Sequence, residues 1–244
     1  MEKTETIESF VDYISFVEAQ CKGEDILFRG QQRDWPLLPK VARIKLKEGT
    51  NLESTMLAEF TRRGIPYIEF DIENTLDKMS LAQHNGMATR LLDWTRNPLA
   101  AMWFAVCMPA GKDKDGNLKD GVVWIYNVSD EDKWMRPTNH AFPKEGVYIY
   151  TPNHVTAQIT AQQGLFTLHG SEGHLGPFIA MEEHAPYCDR LTKLVIPASS
   201  FSELRFQLDR CGINNASMFP GIGGLCRHIE WLYSILDDED DETI

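Results

Sequence analysis

No run of about 18 apolar residues occurs among the 244 positions, so no segment is long enough to cross a bilayer as a helix. The opening residues, MEKTETIESF, are acidic and polar and lack the charged-then-apolar pattern of a secretory leader. Cys21, Cys107, Cys188, Cys211 and Cys226 form an odd set with no CxxC pair, which argues against a disulfide framework. A reduced cytoplasmic protein is the expectation. A basic surplus is also lacking: the net charge of −12 excludes broad, non-specific nucleic-acid binding. There is no GxxxxGK[ST] phosphate loop, no GxGxxG after a strand and no GxSxG nucleophile elbow. GIGG (221–224) opens a helix and reads as turn chemistry. His169, His174, His184 and Cys188 match no standard zinc-ligand spacing, so no metal is expected.

What is present is enough apolar residue, 43%, for a sizeable core. Ile7, Phe10, Val11, Ile14 and Val17 recur at threes and fours, which predicts an amphipathic helix in residues 1–23 started by Thr4 or Thr6. DILF reads as a strand, residues 52–63 and 71–85 as helices, and TRLLDW as a short strand. Asn97-Pro98 is a strong helix start, and PLAAMWFAVCM is apolar nearly all round, hence buried. GVVWIYNV and TKLVIPA read as strands, SSFSELRFQLDRCG and GGLCRHIEWLYSIL as helices, with residues 129–157 irregular. The final helix carries Leu225, Ile229, Leu232 and Leu236 on one face. Strands and helices mix without a βαβα rhythm or internal repeat, so the fold class is α+β in one domain over 24–236.

Charge is unevenly placed. DDEDDETI carries six acids and no base, half of the deficit, and reads as an acidic disordered tail over 237–244. Residues 29–47 hold Arg29, Arg33, Lys40, Arg43, Lys45 and Lys47 with Asp34 the only acid, a patch suited to an anionic ligand or to solvent. The densest polar group lies in SLAQHNGMATRLLDWTRNPLAAMWFAV: Gln83, His84, Asn85, Thr89, Arg90, Asp93, Thr95 and Arg96 sit among apolar residues and need partners. Arg90 and Asp93 suit either a structural network or a site, and His84 either a satisfied core position or a base. Trp35, ahead of PLLP, reads as core.

FRGQ, WPLLPKVAR, LAQHNGMATRLLDWTRNPLAAMWFA, AQQGLFTLH and GINNASMFPGIGGL, taken in order, resemble the signatures of the FRG domain family over roughly residues 24 to 232. One departure is Gln158-Ile159, where the family often has arginine. The order of parts also resembles the ADP-ribosyltransferase superfamily: a first strand ending Arg-Gly, a Ser or Thr ahead of a helix of the form A..FA, and a third strand with Glu or Gln. That resemblance implies a split mixed or antiparallel sheet flanked by helices, NAD as cofactor, and transfer of ADP-ribose to a macromolecule, RNA or protein. A bacterial toxin or anti-phage defence effector with an antitoxin or chaperone partner, and no membrane association, is its biological counterpart. In that order the three roles fall on Arg29, on Thr95 and on Gln162 or Gln163. The chemistry adds Asp93 to stabilise positive charge and His84 or Asp93 as a base, and Gly30, Gln31, Gln83, Arg90 and Gln163 join Arg29 as candidate NAD contacts. Gly30 is expected to let a ligand approach the backbone. Residues 129–157, with Trp134, Arg136, His140, Phe142 and Tyr148, fall where an acceptor loop would lie. Two other readings stay open: a non-catalytic nucleotide-binding module, since glutamine replaces the usual third-strand acid, and an NAD-independent nucleic-acid processing enzyme built on His84 and the basic patch.

Overall fold

A computed structural model describes the chain except residues 1, 2, 24, 48–51, 69–71, 130, 131, 136–145, 154, 155, 172–177 and 240–244. The strands are β1 (Lys3–Thr6), β2 (Ile26–Gln31), β3 (Leu91–Thr95), β4 (Gly121–Asn127), β5 (Lys133–Met135), β6 (Val147–Tyr150), β7 (Gly164–His169) and β8 (Leu191–Ile196). The helices are α1 (Phe10–Gln20), α2 (Lys40–Arg43), α3 (Leu52–Gly64), α4 (Thr75–His84), α5 (Pro98–Val106), α6 (Ala157–Ala161), α7 (Ala185–Cys188), α8 (Phe201–Arg210), α9 (Asn215–Met218) and α10 (Ile222–Leu232). The α+β class is therefore correct, and the strands form one mixed sheet in the order β1-β8-β4-β2-β3-β7-β6-β5.

The sheet consists of two halves joined at a single position. β2 pairs with β4 over six residues and β3 with β7 over five, whereas β2 meets β3 only at Phe28↔Thr95. Beyond that pair the two central strands diverge, and the divergence opens the cleft described below. Alternation along β2 sends Ile26 and Phe28 into the core under α5, with Ala101, Val123 and Ile125, and Leu27 to the opposite core with Leu92, Trp94 and Trp124.

α5 forms as its sequence predicts. Asn97 accepts from the backbone N–H groups of Leu99 (2.9 Å) and Ala100 (3.3 Å), and Pro98 occupies a first-turn position where its missing N–H costs nothing. Ala100, Ala101, Met102, Trp103, Ala105 and Val106 are all buried, and full burial of a side chain such as Met102 contributes about 1.5–3 kcal/mol.

The N-terminus differs from expectation. Residues 3–6 are not helical but form an edge strand parallel to β8, and the helix begins after Ser9, whose side chain accepts from the Asp12 N–H at 3.2 Å. The span 129–157, expected to be irregular, contains β5 and β6, and Tyr148 packs against the Leu91 and Phe166 core; Arg136, His140 and Phe142 lie outside the described residues. Trp35 is 39% exposed, with the Arg33 guanidinium over its ring at 5.6 Å, rather than a core residue.

Part of the segment expected to be an acidic disordered tail is held against the body of the protein. Arg205, 4% exposed, donates to Glu239 at 2.9 Å, Asp238 at 2.6 Å and the Val106 carbonyl at 2.7 Å. Glu239 also accepts from Trp231 Nε1 at 3.0 Å and the Leu236 N–H at 3.0 Å. Two of the tail's acids are thus counter-ions of a buried cation, not solvated charge; 240–244 lie outside the described residues.

Candidate functional site

Where β2 and β3 part, a cavity of about 330 Å³ opens, walled by α2, the end of α4, α5, the α6–β7 turn and Phe219. Arg29 spans the gap. Its Nη1 donates to the Asp93 carbonyl at 2.7 Å, a bond that replaces the missing ladder contact, and lies 3.7 Å from the Asp93 carboxylate. Its Nε is buried without a hydrogen-bond partner among the described residues. Burial pulls the guanidinium down to about 10, opposed by Asp93 and reinforced by the neighbouring charge of Arg43, so it stays protonated at neutral pH. Asp93 itself is more than half exposed and faces the opening.

Lys40 and Arg43, both exposed at the mouth on α2, join Arg29 to give three cations against one carboxylate among the lining residues. In a chain of net charge −12 this is a local reversal of sign, and a cleft with low-dielectric walls strengthens its attraction for anions. Phe104 and Phe219 also line the cavity, with ring centroids 6.3 Å apart and both braced edge-on by Trp103, at 5.1 and 5.8 Å; the Arg227 guanidinium lies over the Phe219 ring at 5.1 Å. A planar ring has an aromatic wall to stack on.

The neutral polar groups are oriented. His84 Nδ1 lies 2.9 Å from the Ser80 carbonyl, which can only accept, so Nδ1 carries a proton and the neutral form of the ring has its lone pair on Nε2. Phe166 holds the imidazole edge-on at 5.8 Å. Gln83 accepts the Thr89 hydroxyl through Oε1, which leaves its NH2 to donate. Gln162 donates to the Met218 carbonyl at 3.0 Å, leaving Oε1 as an acceptor. Thr95 is committed: its hydroxyl donates to the Gln162 carbonyl at 2.5 Å and accepts from the Asn97 N–H at 2.9 Å. It ties the β3–α5 turn to the α6–β7 turn and has no hydroxyl proton left for a ligand.

Arg29, Gly30, Gln83, His84, Asp93, Thr95 and Gln162, predicted from sequence, all line the cavity. Gln31, Arg90 and Gln163 do not. Gln31 is buried and donates to the Trp35 carbonyl at 2.8 Å. Arg90 is 3% exposed and its Nε donates to buried Glu53 at 2.7 Å, while Glu53 also accepts from the Arg90 N–H at 2.8 Å. Gln163 is exposed and bends the chain with φ of 45° ahead of β7. Gly30 lines the cavity through its backbone, but not for the expected reason: a Cβ there would sit 1.8 Å from the Ala101 carbonyl oxygen. It is glycine so that β2 can lie against α5.

Sequence reasoning missed Phe104 and Phe219 as site residues, the first because it sits in a helix that is apolar all round. Lys40 and Arg43 were visible as basic residues without a place, and Gln158, noted for replacing an arginine, lines the cavity too. His169, outside the cavity, is 2% exposed and its Nε2 lies 3.0 Å from the Thr167 hydroxyl; burial, then the charges of Arg29, His184 and Arg90, drive it down to about 3. It is a neutral core histidine. No group of three or more metal-ligating side chains occurs among the described residues; His174 lies outside them.

Residues 24–114, a span from just before β2 to just past α5, match the family model of the FRG domain. This is shorter than the span of residues 24 to 232 whose motifs resemble the family, and it takes in Arg29, Lys40, Arg43, His84, Asp93 and Phe104 but not Gln162 or Phe219. No curated protein and no solved structure matches the chain, and no comparison links it to an ADP-ribosyltransferase. No helix among the described residues is long and apolar enough to cross a membrane.

Proposed function

We propose that this protein binds NAD in the cleft between β2 and β3 and transfers ADP-ribose from it to a macromolecular acceptor. The observation that carries the reading is convergence: seven residues singled out in the sequence, three of them by motif order, line a single cavity whose charged groups are three cations and one carboxylate. The donor set suits a dinucleotide. Arg29, Lys40 and Arg43 offer charge-assisted hydrogen bonds to a diphosphate, and Phe104 and Phe219 an aromatic wall for a ring. The volume of about 330 Å³ is at the low end for small-molecule sites. A ligand of dinucleotide length therefore extends past the mouth, over exposed Lys40 and Arg43.

Bound NAD supplies a ribose carbon that becomes electron-poor as nicotinamide leaves. Asp93, beside that space and more than half exposed, is the carboxylate available to stabilise positive charge. Arg29 holds Asp93 and the ligand in one frame. His84, with its Nε2 lone pair free, is the base that removes the acceptor's proton. Gln162 accepts a hydroxyl hydrogen bond through Oε1 but, as an amide, carries no proton. Five free cysteines among the described residues suit a reducing cytoplasm, and a toxin or defence role with an antitoxin or chaperone partner accompanies the transferase reading.

A second reading, a nucleotide-binding module without turnover, draws on one observation: Gln162 is held by the Met218 carbonyl where the transferase pattern has an acid. Calorimetric titration of NAD and of ADP into the wild type, Arg29→Lys and Lys40→Ala/Arg43→Ala is the first test. The cleft assignment predicts that both variants weaken binding about tenfold or more, the loss of one or two charge-assisted contacts. Equal affinities in all three proteins would remove the cleft as the nucleotide site.

A further inference from the structure

α10 is amphipathic, but its apolar side faces outward. It is fixed to the body by the opposite side, where Gly224 is buried against the α9 segment: a Cβ at Gly224 would meet the Phe219 carbonyl oxygen at 1.9 Å. On the same side Trp231 packs on Phe206 with centroids 5.0 Å apart, and His228 lies 3.7 Å from Asp209. The outer side carries Ile222, Leu225, Cys226, Ile229 and Leu232, followed by Tyr233 just past the last turn. Ile222 is 78% exposed, Leu225 45%, Ile229 46%, Leu232 49% and Tyr233 89%. None of the six is charged, on a chain in which one residue in four is. A contiguous exposed stripe of this kind marks an interaction surface.

We propose that the stripe is a self-association surface, and that two copies of the chain pair through parallel α10 helices about a two-fold axis. Ile222 and Ile229 are seven residues apart, as are Leu225 and Leu232, and each leucine follows its isoleucine by three. This is the seam spacing of paired helices, with β-branched residues at one seam position and leucine at the other, the choice that favours two parallel strands. The stripe offers no charge for a charged partner to complement, while two copies of it meet with no like charges opposed. The side chains present roughly 500 Å² per copy, so pairing covers about 1,000 Å² in total, enough for a specific but reversible dimer. Each copy carries net charge −12, so long-range repulsion opposes pairing and added salt strengthens it.

Light scattering on the full chain over a dilution series reads the outcome. The mass should rise with concentration from 27.8 kDa toward twice that value, at lower concentration as salt is raised. Leu225→Glu/Ile229→Glu should weaken pairing about a hundredfold or more while leaving circular dichroism unchanged, because both positions are half-exposed. Cys226, beside the seam, should be joined to its counterpart by a short bismaleimide in a Cys211→Ser background, a readout that does not depend on the glutamate variant folding. A wild type that stays at 27.8 kDa at every concentration, or a dimer that survives the double substitution and is not captured through Cys226, would overturn the proposal. Co-sedimentation of a monomeric wild type with anionic lipid vesicles would overturn it too, and assign the stripe to a bilayer surface.

Discussion

Replacing Gly30 by alanine separates two explanations of the Arg29-Gly30 strand end. If glycine is there for ligand approach, a methyl group should weaken nucleotide binding and leave the fold intact. The structure points the other way. The added Cβ would lie 1.8 Å from the Ala101 carbonyl oxygen, 2.8 Å from its carbon and 2.9 Å from the Ala105 nitrogen. All three are helix backbone, so no rotamer change relieves the overlap, and α5 must move away from β2 by more than an ångström. α5 is the centre of one core, with Ala100, Met102 and Val106 inaccessible to solvent, and such a shift opens voids along its whole length. Overpacking costs typically about 1–3 kcal/mol, and a backbone clash belongs at the upper end. For a chain of this size about 3 kcal/mol corresponds to a fall in Tm of about 6–12 °C. Differential scanning calorimetry of Gly30→Ala checks this. A Tm within about 2 °C of wild type together with lost nucleotide affinity would refute the packing argument and return Gly30 to the ligand.

Four other outcomes are expected. Unfolded His169 takes a proton near pH 6.5 and the folded residue refuses it until about 3, so stability falls as pH drops through that window, by at most about 1.4 kcal/mol per unit. Urea unfolding at pH 7 and pH 5 should show a loss of about 2 kcal/mol attributable to this residue, a loss that His169→Gln removes. Arg90→Met strands buried Glu53 and should cost about 3–5 kcal/mol in urea unfolding without a specific loss of nucleotide affinity. Ending the chain after Asp237 takes both carboxylates from buried Arg205 and should cost about 3 kcal/mol; an unchanged unfolding midpoint would mean that Asp238 and Glu239 are solvated after all. Asp93→Asn, at an exposed position, should leave stability within about 0.5 kcal/mol while abolishing transfer, measured by thermal melt and label incorporation.

The elements that were legible in the sequence are those whose signal is local. Asn97-Pro98 and the apolar run behind it announce α5, and Arg29, His84 and Asp93 stand out because polar groups among core residues need a reason to be there. What was not legible depends on direction or on distant pairing. Lys-Thr-Glu-Thr at 3–6 has no apolar alternation because an edge strand with every residue exposed buries nothing. Arg90 read as a site residue since its partner, Glu53, lies 37 positions earlier. Arg205 likewise has its counter-ions 33 and 34 positions later, in a run that looks like solvated acid. Gly30 was recognised as special, yet only the packing of β2 on α5 reveals which side its missing Cβ faces. The seam on α10 was visible as a periodic face; that it points to solvent follows from the burial of Gly224 on the other side.

The central claim is tested most directly by nicotinamide release from NAD by the purified wild-type chain, with and without added RNA or lysate protein, beside Asp93→Asn and Arg29→Lys. The account predicts release that rises when the acceptor pool is supplied and disappears in both variants while their Tm stays near that of the wild type. No release under any condition, from a protein that still binds NAD in the cleft, would contradict transfer and leave a nucleotide-binding module; RNA cleaved in the absence of NAD would contradict both.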